Sequence, residues 1–259
     1  MGLNYLADVV FPICLFSELE TKQQCFKEYL GTGFFIGTKG YFITAKHVVP
    51  QEKVEKIEKK DSFLILPRKQ VGLKTEYDPV RITAFEAAPN DIDLVVGKTD
   101  YKPGGFFDIG EEGESYGWEN VMSYGYPASI YREAESGKPI FDPSFLKGYI
   151  TRKLQQGKTL GTIKNIPPGY ALNYPIPQGM SGCPVFKDSE NKTLVGVGVG
   201  TFEEKTQLWQ NTAYKSDKEK YEETAYRVIE TGFAINILSF HYWGLKIADG
   251  KTIQEISKE

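Results

Sequence analysis

Short apolar runs recur along this chain with turn residues between them, and none of these runs has the length of an amphipathic helix. Strands of this length, punctuated by glycine and proline, are typical of an antiparallel barrel or sandwich. The runs form two sets of six, at residues 8–16, 31–37, 40–49, 62–67, 80–87 and 91–98, and then at 120–127, 145–153, 169–175, 183–186, 193–202 and 231–237. The sequence therefore predicts an all-β fold.

The segment between the two sets, residues 100–119, is rich in glycine and acidic residues and predicts a linker. We accordingly divide the chain into two domains, residues 1–110 and 111–259. The tail that follows the last strand, residues 236–259, is expected to include a terminal helix packed on a barrel.

Two charged stretches interrupt this pattern. Residues 52–60 predict a solvated loop or a short helix. Residues 203–230 separate two strands and are long for a connector, and loops of that length are uncommon unless they act as lids, bind a ligand or stay disordered. Two interpretations of this insertion stay open, a gate beside the functional site and a tolerated surface insertion.

Bulk properties exclude several classes of protein. At 259 residues and 41% hydrophobic content, the chain can bury a substantial core. A net charge of -3 without a basic stripe argues against nucleic acid or an anionic membrane surface as a partner. No apolar stretch has transmembrane length, and the N-terminus lacks a basic leader. Three cysteines without an export signal indicate reduced thiols, so we expect a cytoplasmic protein.

The chemistry of the chain centres on the segment GMSGCPV, residues 179–185. A serine hydroxyl is a poor nucleophile near neutral pH, so Ser181 needs a positioned base and an acid that orients the base. Of the two histidines, His47 lies in the run GYFITAKHVV, and the run that begins at Asp91 supplies two aspartates. The nucleophile motif G-x-S-x-G needs a glycine where Cys183 stands, which disfavours an α/β-hydrolase.

Taken together, these segments resemble the trypsin-like serine peptidases, and more closely the bacterial HtrA-type and single-domain branch than the digestive enzymes. GTGFFIG resembles that branch's GSGF, TAKHVV its TAAHV, DLVVGK its DLAVLK, SYGYP its IGYP, GMSGCP its GNSGGP, and TGFAIN its GFAIP. The matches keep the family's order from about residue 31 to 237. The resemblance implies two Greek-key six-stranded β-barrels with the active site in the cleft between them.

By this resemblance His47 is the general base, Ser181 is the nucleophile, and the amides of Gly179 and Ser181 form the oxyanion hole. A side chain at Gly179 is expected to crowd the substrate. For the acid we favour Asp93, with Asp91 as the alternative, because strand alternation directs both carboxylates to one face. Choosing Asp91 would place the Asp93 carboxylate where the family has a small buried residue, which is costly.

The specificity pocket is expected to use uncharged residues, and it should therefore prefer a small or apolar residue before the scissile bond. They are Pro175, Ile176, Val199, Gly200, Thr201 and Gly232. The chain departs from the digestive enzymes at Met180, where they carry an aspartate that pairs with a processed N-terminus. We therefore expect no activation by cleavage, and no PDZ domain after the second barrel.

These observations predict a serine endopeptidase that works through an acyl-enzyme and needs no cofactor. The sequence contains no C-x-x-C or H-E-x-x-H pattern, so we expect no metal. The expected partners are a protein or peptide substrate and, where another protein switches the activity, a regulatory protein. The alternative is an inactive or partner-activated double-barrel module that binds peptides.

Overall fold

A computed structural model describes residues 3–18, 24–49, 61–71, 74–107, 109, 117–130, 132–133, 139–157, 166–189, 192–216 and 219–259. The first part of these residues contains α1 (Leu3–Val9), β1 (Val10–Glu18), β2 (Gln24–Ile36), β3 (Tyr41–Thr44), β4 (Asp61–Ile65), β5 (Arg68–Val71), β6 (Lys74–Tyr77), β7 (Val80–Ala87) and β8 (Val95–Thr99). The second part contains β9 (Asn120–Gly125), β10 (Arg132–Glu133), β11 (Pro139–Ile140), β12 (Ser144–Leu154), β13 (Gly169–Leu172), β14 (Cys183–Lys187), β15 (Leu194–Ser216), β16 (Glu219–Asn236) and α2 (Ile253–Ser257).

The first barrel closes in the order β1-β2-β3-β8-β7-β4, with antiparallel neighbours throughout. Its interior is aromatic, because Phe11 packs against both Phe35 and Phe42 in tilted and edge-on geometry. Such contacts bury large apolar areas, the dominant favourable contribution to folding. β5 and β6 form a separate two-stranded sheet.

The second barrel closes in the order β12-β13-β16-β15-β14-β9, again with antiparallel neighbours. Its core is assembled from the inward-facing residues of these strands, such as Val121, Ile150, Leu172 and Val185. β10 and β11 pair outside it. The all-β fold with two six-stranded Greek-key barrels is therefore confirmed.

The linker and the tail both pack on the first barrel. Phe107 donates its backbone amide to the Phe35 carbonyl at 3.0 Å, so the linker begins along β2. The domain boundary that we placed at 110/111 lies outside the described residues and stays a prediction. α2 starts with a capping box between Thr252 and Glu255, and the backbone of Ile256 lies against Gly37. No helix in the described ranges is long and apolar enough to cross a membrane.

The charged insertion has a structure that we did not predict. Residues 202–216 and 219–231 form a two-stranded arm in which β15 and β16 continue beyond the barrel, with pairs from Phe202↔Thr231 to Ser216↔Glu219. Strand-forming residues interleave with the charged ones along both strands, for example Thr206 and Trp209 on β15, so pairing continues where charge alone suggested a loop. The other charged stretch, residues 52–60, lies outside the described residues.

The three cysteines are free thiols. The register places Cys14 opposite Tyr29 and Cys25 opposite Ser17, so these two cysteines are not cross-strand neighbours. Cys14 and Cys183 are buried and Cys25 is exposed. Burial raises the pKa of Cys14 well above its usual value and that of Cys183 to about 12.

Candidate active site

His47 lies in a short 3-10 turn, Lys46–Val48, directly after β3. Its ring Nδ1 lies 2.7 Å from Oδ2 of Asp93, and its backbone amide donates to Oδ1 of the same carboxylate at 2.9 Å. Because a carboxylate only accepts hydrogen bonds, the ring proton belongs on Nδ1, and Nε2 keeps its lone pair. The pair is open to solvent, with 51% and 37% of the two side chains exposed.

Asp91 has a different partner, because its carboxylate pairs with the ammonium of Lys46. The hydrogen bond and the charge of Lys46 lower the pKa of Asp91, whose side chain is exposed. Our argument from strand alternation was wrong here. β8 begins only at Val95, and Asp91 instead ends a 3-10 turn, Pro89–Asp91, in which Asn90 and Asp91 adopt φ values of 60° and 58°.

The turn that carries Ser181 depends on two glycines with positive φ, Gly179 at 90° and Gly182 at 88°. A Cβ at Gly179 would lie 2.5 Å from the Ala128 amide nitrogen and 2.8 Å from the Tyr126 carbonyl oxygen. The glycine is therefore required by packing within the protein. We had expected a side chain there to crowd the substrate, and the structure gives a different reason.

The first barrel holds this turn through two residues of β2, Tyr29 and Thr32, which we call the clamp. The Gly179 carbonyl accepts hydrogen bonds from Tyr29 OH at 2.7 Å and Thr32 Oγ1 at 2.9 Å, and the Ser181 carbonyl accepts from the Thr32 amide at 2.9 Å. Burial of its hydroxyl raises the pKa of Tyr29 well above its usual value, so this phenol stays a donor. The sequence analysis did not identify either residue.

Other amides of the turn are used internally. Met180 donates to the Pro177 carbonyl at 2.9 Å, Gly182 to Gly198 at 2.7 Å, and Cys183 to Met180 at 2.9 Å. Within the described part of the chain, the amides of Gly179 and Ser181 have no backbone acceptor. These are the two N–H groups that we expect to stabilise an oxyanion.

The hydroxyl of Ser181 donates to the Val199 carbonyl at 3.2 Å. Among the described residues, no hydrogen bond joins it to His47. The neighbour of His47, Val48, and the Ser181 backbone both lie close to Gly31, because a Cβ at Gly31 would lie 2.6 Å from Val48 Cγ2 and 3.0 Å from the Ser181 carbonyl oxygen. Because the hydroxyl has one proton, donation to His47 would require it to leave the Val199 carbonyl.

A cavity of about 260 Å³ lies between the barrels, beside Asp93. Its lining is Asn90, Asp91, Ile92 and Asp93 from the first barrel and Ile166, Pro167, Val199, Gly200, Thr201, Phe202 and Phe233 from the second. Three of the predicted pocket residues, Val199, Gly200 and Thr201, line it. The other three do not.

Those three, Pro175, Ile176 and Gly232, belong to the wall behind Thr201. The Ile176 amide donates to Thr201 Oγ1 at 2.7 Å, and that hydroxyl donates to the Ile176 carbonyl at 2.9 Å. The side chain of Ile176 is buried, and its carbons lie 3.2 Å from the positions of a Cβ at Gly198 and a Cβ at Gly232. Ile176 therefore fills the space beside Gly198 of β15 and Gly232 of β16.

Among the described residues, no group of three or more His, Cys, Asp or Glu side chains is placed to hold a metal ion. The polar groups of the site are therefore a histidine, a carboxylate, an alcohol and two backbone amides. This arrangement suits acyl transfer to a serine.

Comparison with known proteins identifies the family of the chain. Residues 31–197, well over half of the chain, match the family model of the trypsin-like peptidase domain. The chain belongs to this family of serine proteases, which confirms the resemblance that the motifs indicated. No curated protein matches the chain.

Solved structures show the same fold at low sequence identity. The HtrA-type protease AlgW with a decapeptide is 14% identical, with 92% of this chain and 63% of that chain covered and a TM-score of 0.56. AlgW with a tripeptide is also 14% identical, with 95% and 63% covered and a TM-score of 0.55. The chain thus spans less than two thirds of the length of these proteins.

Proposed function

We propose that this chain is a serine endopeptidase in which His47, Asp93 and Ser181 form the catalytic triad. The observation that carries this proposal is the double hydrogen bond from His47 to Asp93. It fixes both the orientation and the tautomer of the ring, so that Nε2 can accept a proton. The backbone of the Ser181 turn and the neighbour of His47, Val48, both lie against Gly31, which supports placing the serine near this pair.

In the proposed reaction, the Ser181 hydroxyl leaves the Val199 carbonyl and donates to His47 Nε2. Its oxygen attacks the substrate carbonyl while the proton passes to the imidazole. The negative charge on the former carbonyl oxygen is stabilised by the amides of Gly179 and Ser181. The imidazolium then protonates the leaving amine, and a water molecule, activated by the same histidine, hydrolyses the acyl-enzyme.

We further propose that the residue before the scissile bond is small and uncharged. Ile176 fills the space between Gly198 and Gly232, and none of the six residues that we expect to form the specificity pocket carries a charge that could pair with a charged side chain there. Burying an unpaired charge is costly. A peptide with alanine or valine at this position should therefore be cleaved faster than one with lysine, arginine or glutamate.

A second candidate is a partner-activated or inactive peptide-binding module. The observation that favours it is the Ser181 hydroxyl, which is bonded to the Val199 carbonyl instead of His47. A regulatory protein that brings this hydroxyl to His47 would switch such an enzyme on.

We also propose that the protein is cytoplasmic. Its three cysteines are free thiols, as expected in a compartment in which disulfides are rare.

A panel of fluorogenic peptides that differ only in the residue before the scissile bond tests the proposal. We expect cleavage of the alanine and valine peptides by the unaltered chain and none above background by the Ser181→Ala and His47→Ala variants. Cleavage that survives both substitutions would overturn the proposed site. Cleavage that follows lysine or arginine would overturn the proposed specificity, and binding without cleavage under all conditions would favour the peptide-binding module.

A further inference from the structure

β15 has one open edge that begins at the proposed nucleophile. From Leu194 to Gly198 the strand pairs with β14 on one side and β16 on the other. Beyond Gly198, within the described residues, its only partner strand is β16. The open edge starts at Val199, whose carbonyl accepts the Ser181 hydroxyl, and continues past the cavity into the arm.

The two strands of the arm differ in how they protect their outer edges. Natural proteins discourage unwanted pairing at an open edge with charged residues and proline. Thr206–Ala213 of β15 has neither charge nor proline, whereas the part of β16 that pairs with it carries Glu222, Glu223 and Arg227. The charged residues of β15 lie before this stretch, at 203–205, and after it, at Lys215. Leu208 and Trp209, at a bulge in this uncharged stretch, are 62% and 50% exposed.

We propose that the open edge of β15 on the arm, which begins at Phe202, extends the cleft and binds further residues of a polypeptide substrate on the amino side of the scissile bond, as an added antiparallel strand. The proposal rests on the proposed function and adds a binding surface to it. The edge is continuous with the cleft, so a chain held at Val199–Thr201 can pair onward without interruption. An unfolded or locally extended segment fits, because a folded one has no free backbone to offer.

The direction of the substrate follows from the direction of β15. This strand runs away from Ser181 toward the tip of the arm, and every strand pair in the two barrels is antiparallel. A substrate that pairs antiparallel to it runs toward Ser181, so its residues along the arm come before the scissile bond. Because each residue of the edge lies opposite one substrate residue, the edge from Phe202 to Trp209 can pair with eight residues of the substrate.

Matched peptides test this inference. One peptide carries only the residues around the scissile bond, a second adds eight uncharged residues on the amino side, and a third adds the same eight on the carboxyl side. The added cross-strand pairs should raise kcat/KM of the second peptide about tenfold, mainly through KM. N-methylation of alternate amides in the extension should remove the gain. Equal kcat/KM for all three peptides, or a gain only on the carboxyl side, would overturn the proposal.

Variants of the arm give a second test. Thr206 and Arg227 face each other across the arm, so an Asn-Gly turn between them shortens it without touching the cleft. We expect this chain to cleave the short peptide normally and to lose the gain from the extension. Trp209→Lys should also lose it, and Tyr226→Lys, equally exposed on β16, should not. If the shortened chain does not fold, kcat/KM of the full-length chain for the N-methylated peptides tests the proposal instead.

Binding measurements separate this inference from the proposed function. The Ser181→Ala chain should bind the amino-extended peptide about tenfold more tightly than the short one, by fluorescence anisotropy. Equal affinities would overturn the inference even where cleavage is seen. Tighter binding of the extended peptide without any cleavage by the unaltered chain would overturn the proposed function and support peptide binding at the edge of β15. A concentration-dependent dimer that the shortened arm abolishes would assign the edge to a second copy of the chain and also overturn the proposal.

Discussion

The two halves of the candidate site are held in different ways. The turn of Ser181 is enclosed, and its carbonyls are bonded to Tyr29 and Thr32 of the opposite barrel. The His47–Asp93 pair is partly open to solvent and is joined by two hydrogen bonds of its own. The first barrel therefore supplies both the proposed acid–base pair and the clamp that holds the second barrel's turn, so we expect assembly of the site to depend on docking of the two barrels.

The largest expected effect is the difference in activity between substitutions of Asp93 and Asp91. In Asp93→Asn the amide favours the wrong tautomer of His47, and we expect kcat to fall by about 10⁴-fold while KM changes little. Asp91→Asn removes only an exposed ion pair with Lys46, and we expect less than about a twofold change. Steady-state kinetics on one peptide compares them. Equal losses in both variants would contradict the assignment of Asp93.

Gly179→Ala should give the next largest effect, in the enclosed half. The new side chain would stand at a φ of 90° and meet the Ala128 amide and the Tyr126 carbonyl. We expect an unfolding free energy lower by about 2 kcal/mol or more, and a fall in kcat of about 100-fold as the oxyanion amides shift. Urea unfolding and kinetics measure the two effects. A variant with normal stability and activity would remove the packing argument.

Thr32→Val tests the clamp itself. The Gly179 carbonyl loses one of its two hydroxyl donors, and the Tyr126 amide loses its acceptor, Thr32 Oγ1 at 3.1 Å. We expect a loss of about 1–3 kcal/mol in unfolding free energy and a fall of about tenfold in kcat with KM nearly unchanged. Thr151→Val is the matched control, since its hydroxyl donates to the Ala171 carbonyl at 3.0 Å away from the site. The control should lose some stability and no activity.

The smallest expected effect concerns the thiols. In the native chain one thiol, Cys25, should react with a disulfide reagent, and all three should react after unfolding. Burial raises the pKa of Cys183 to about 12, so its thiolate stays scarce up to pH 9 even though it lies two residues from Ser181. Modification of Cys25 should leave peptide cleavage unchanged. Rapid native reaction of Cys183 would show that the enclosed half opens.

Local sequence was sufficient to predict the barrels, because alternating runs and turn residues report which segments form strands. The candidate roles of His47 and Ser181 came from the order of motifs along the chain. The clamp was missed because its contacts join residues 147 and 150 positions apart, and no local pattern reports such a distance. The arm was missed because we judged 203–230 by its charge, whereas pairing between its two strands determines its structure.

The central claim is that the His47–Asp93 pair activates Ser181, and labelling with a fluorophosphonate probe tests it most directly. We expect a single adduct, located at Ser181 by peptide mass spectrometry, formed at a rate that drops by orders of magnitude in His47→Ala and in Asp93→Asn. Labelling that is absent from the unaltered chain under all conditions, or that proceeds equally fast without His47, would contradict the account.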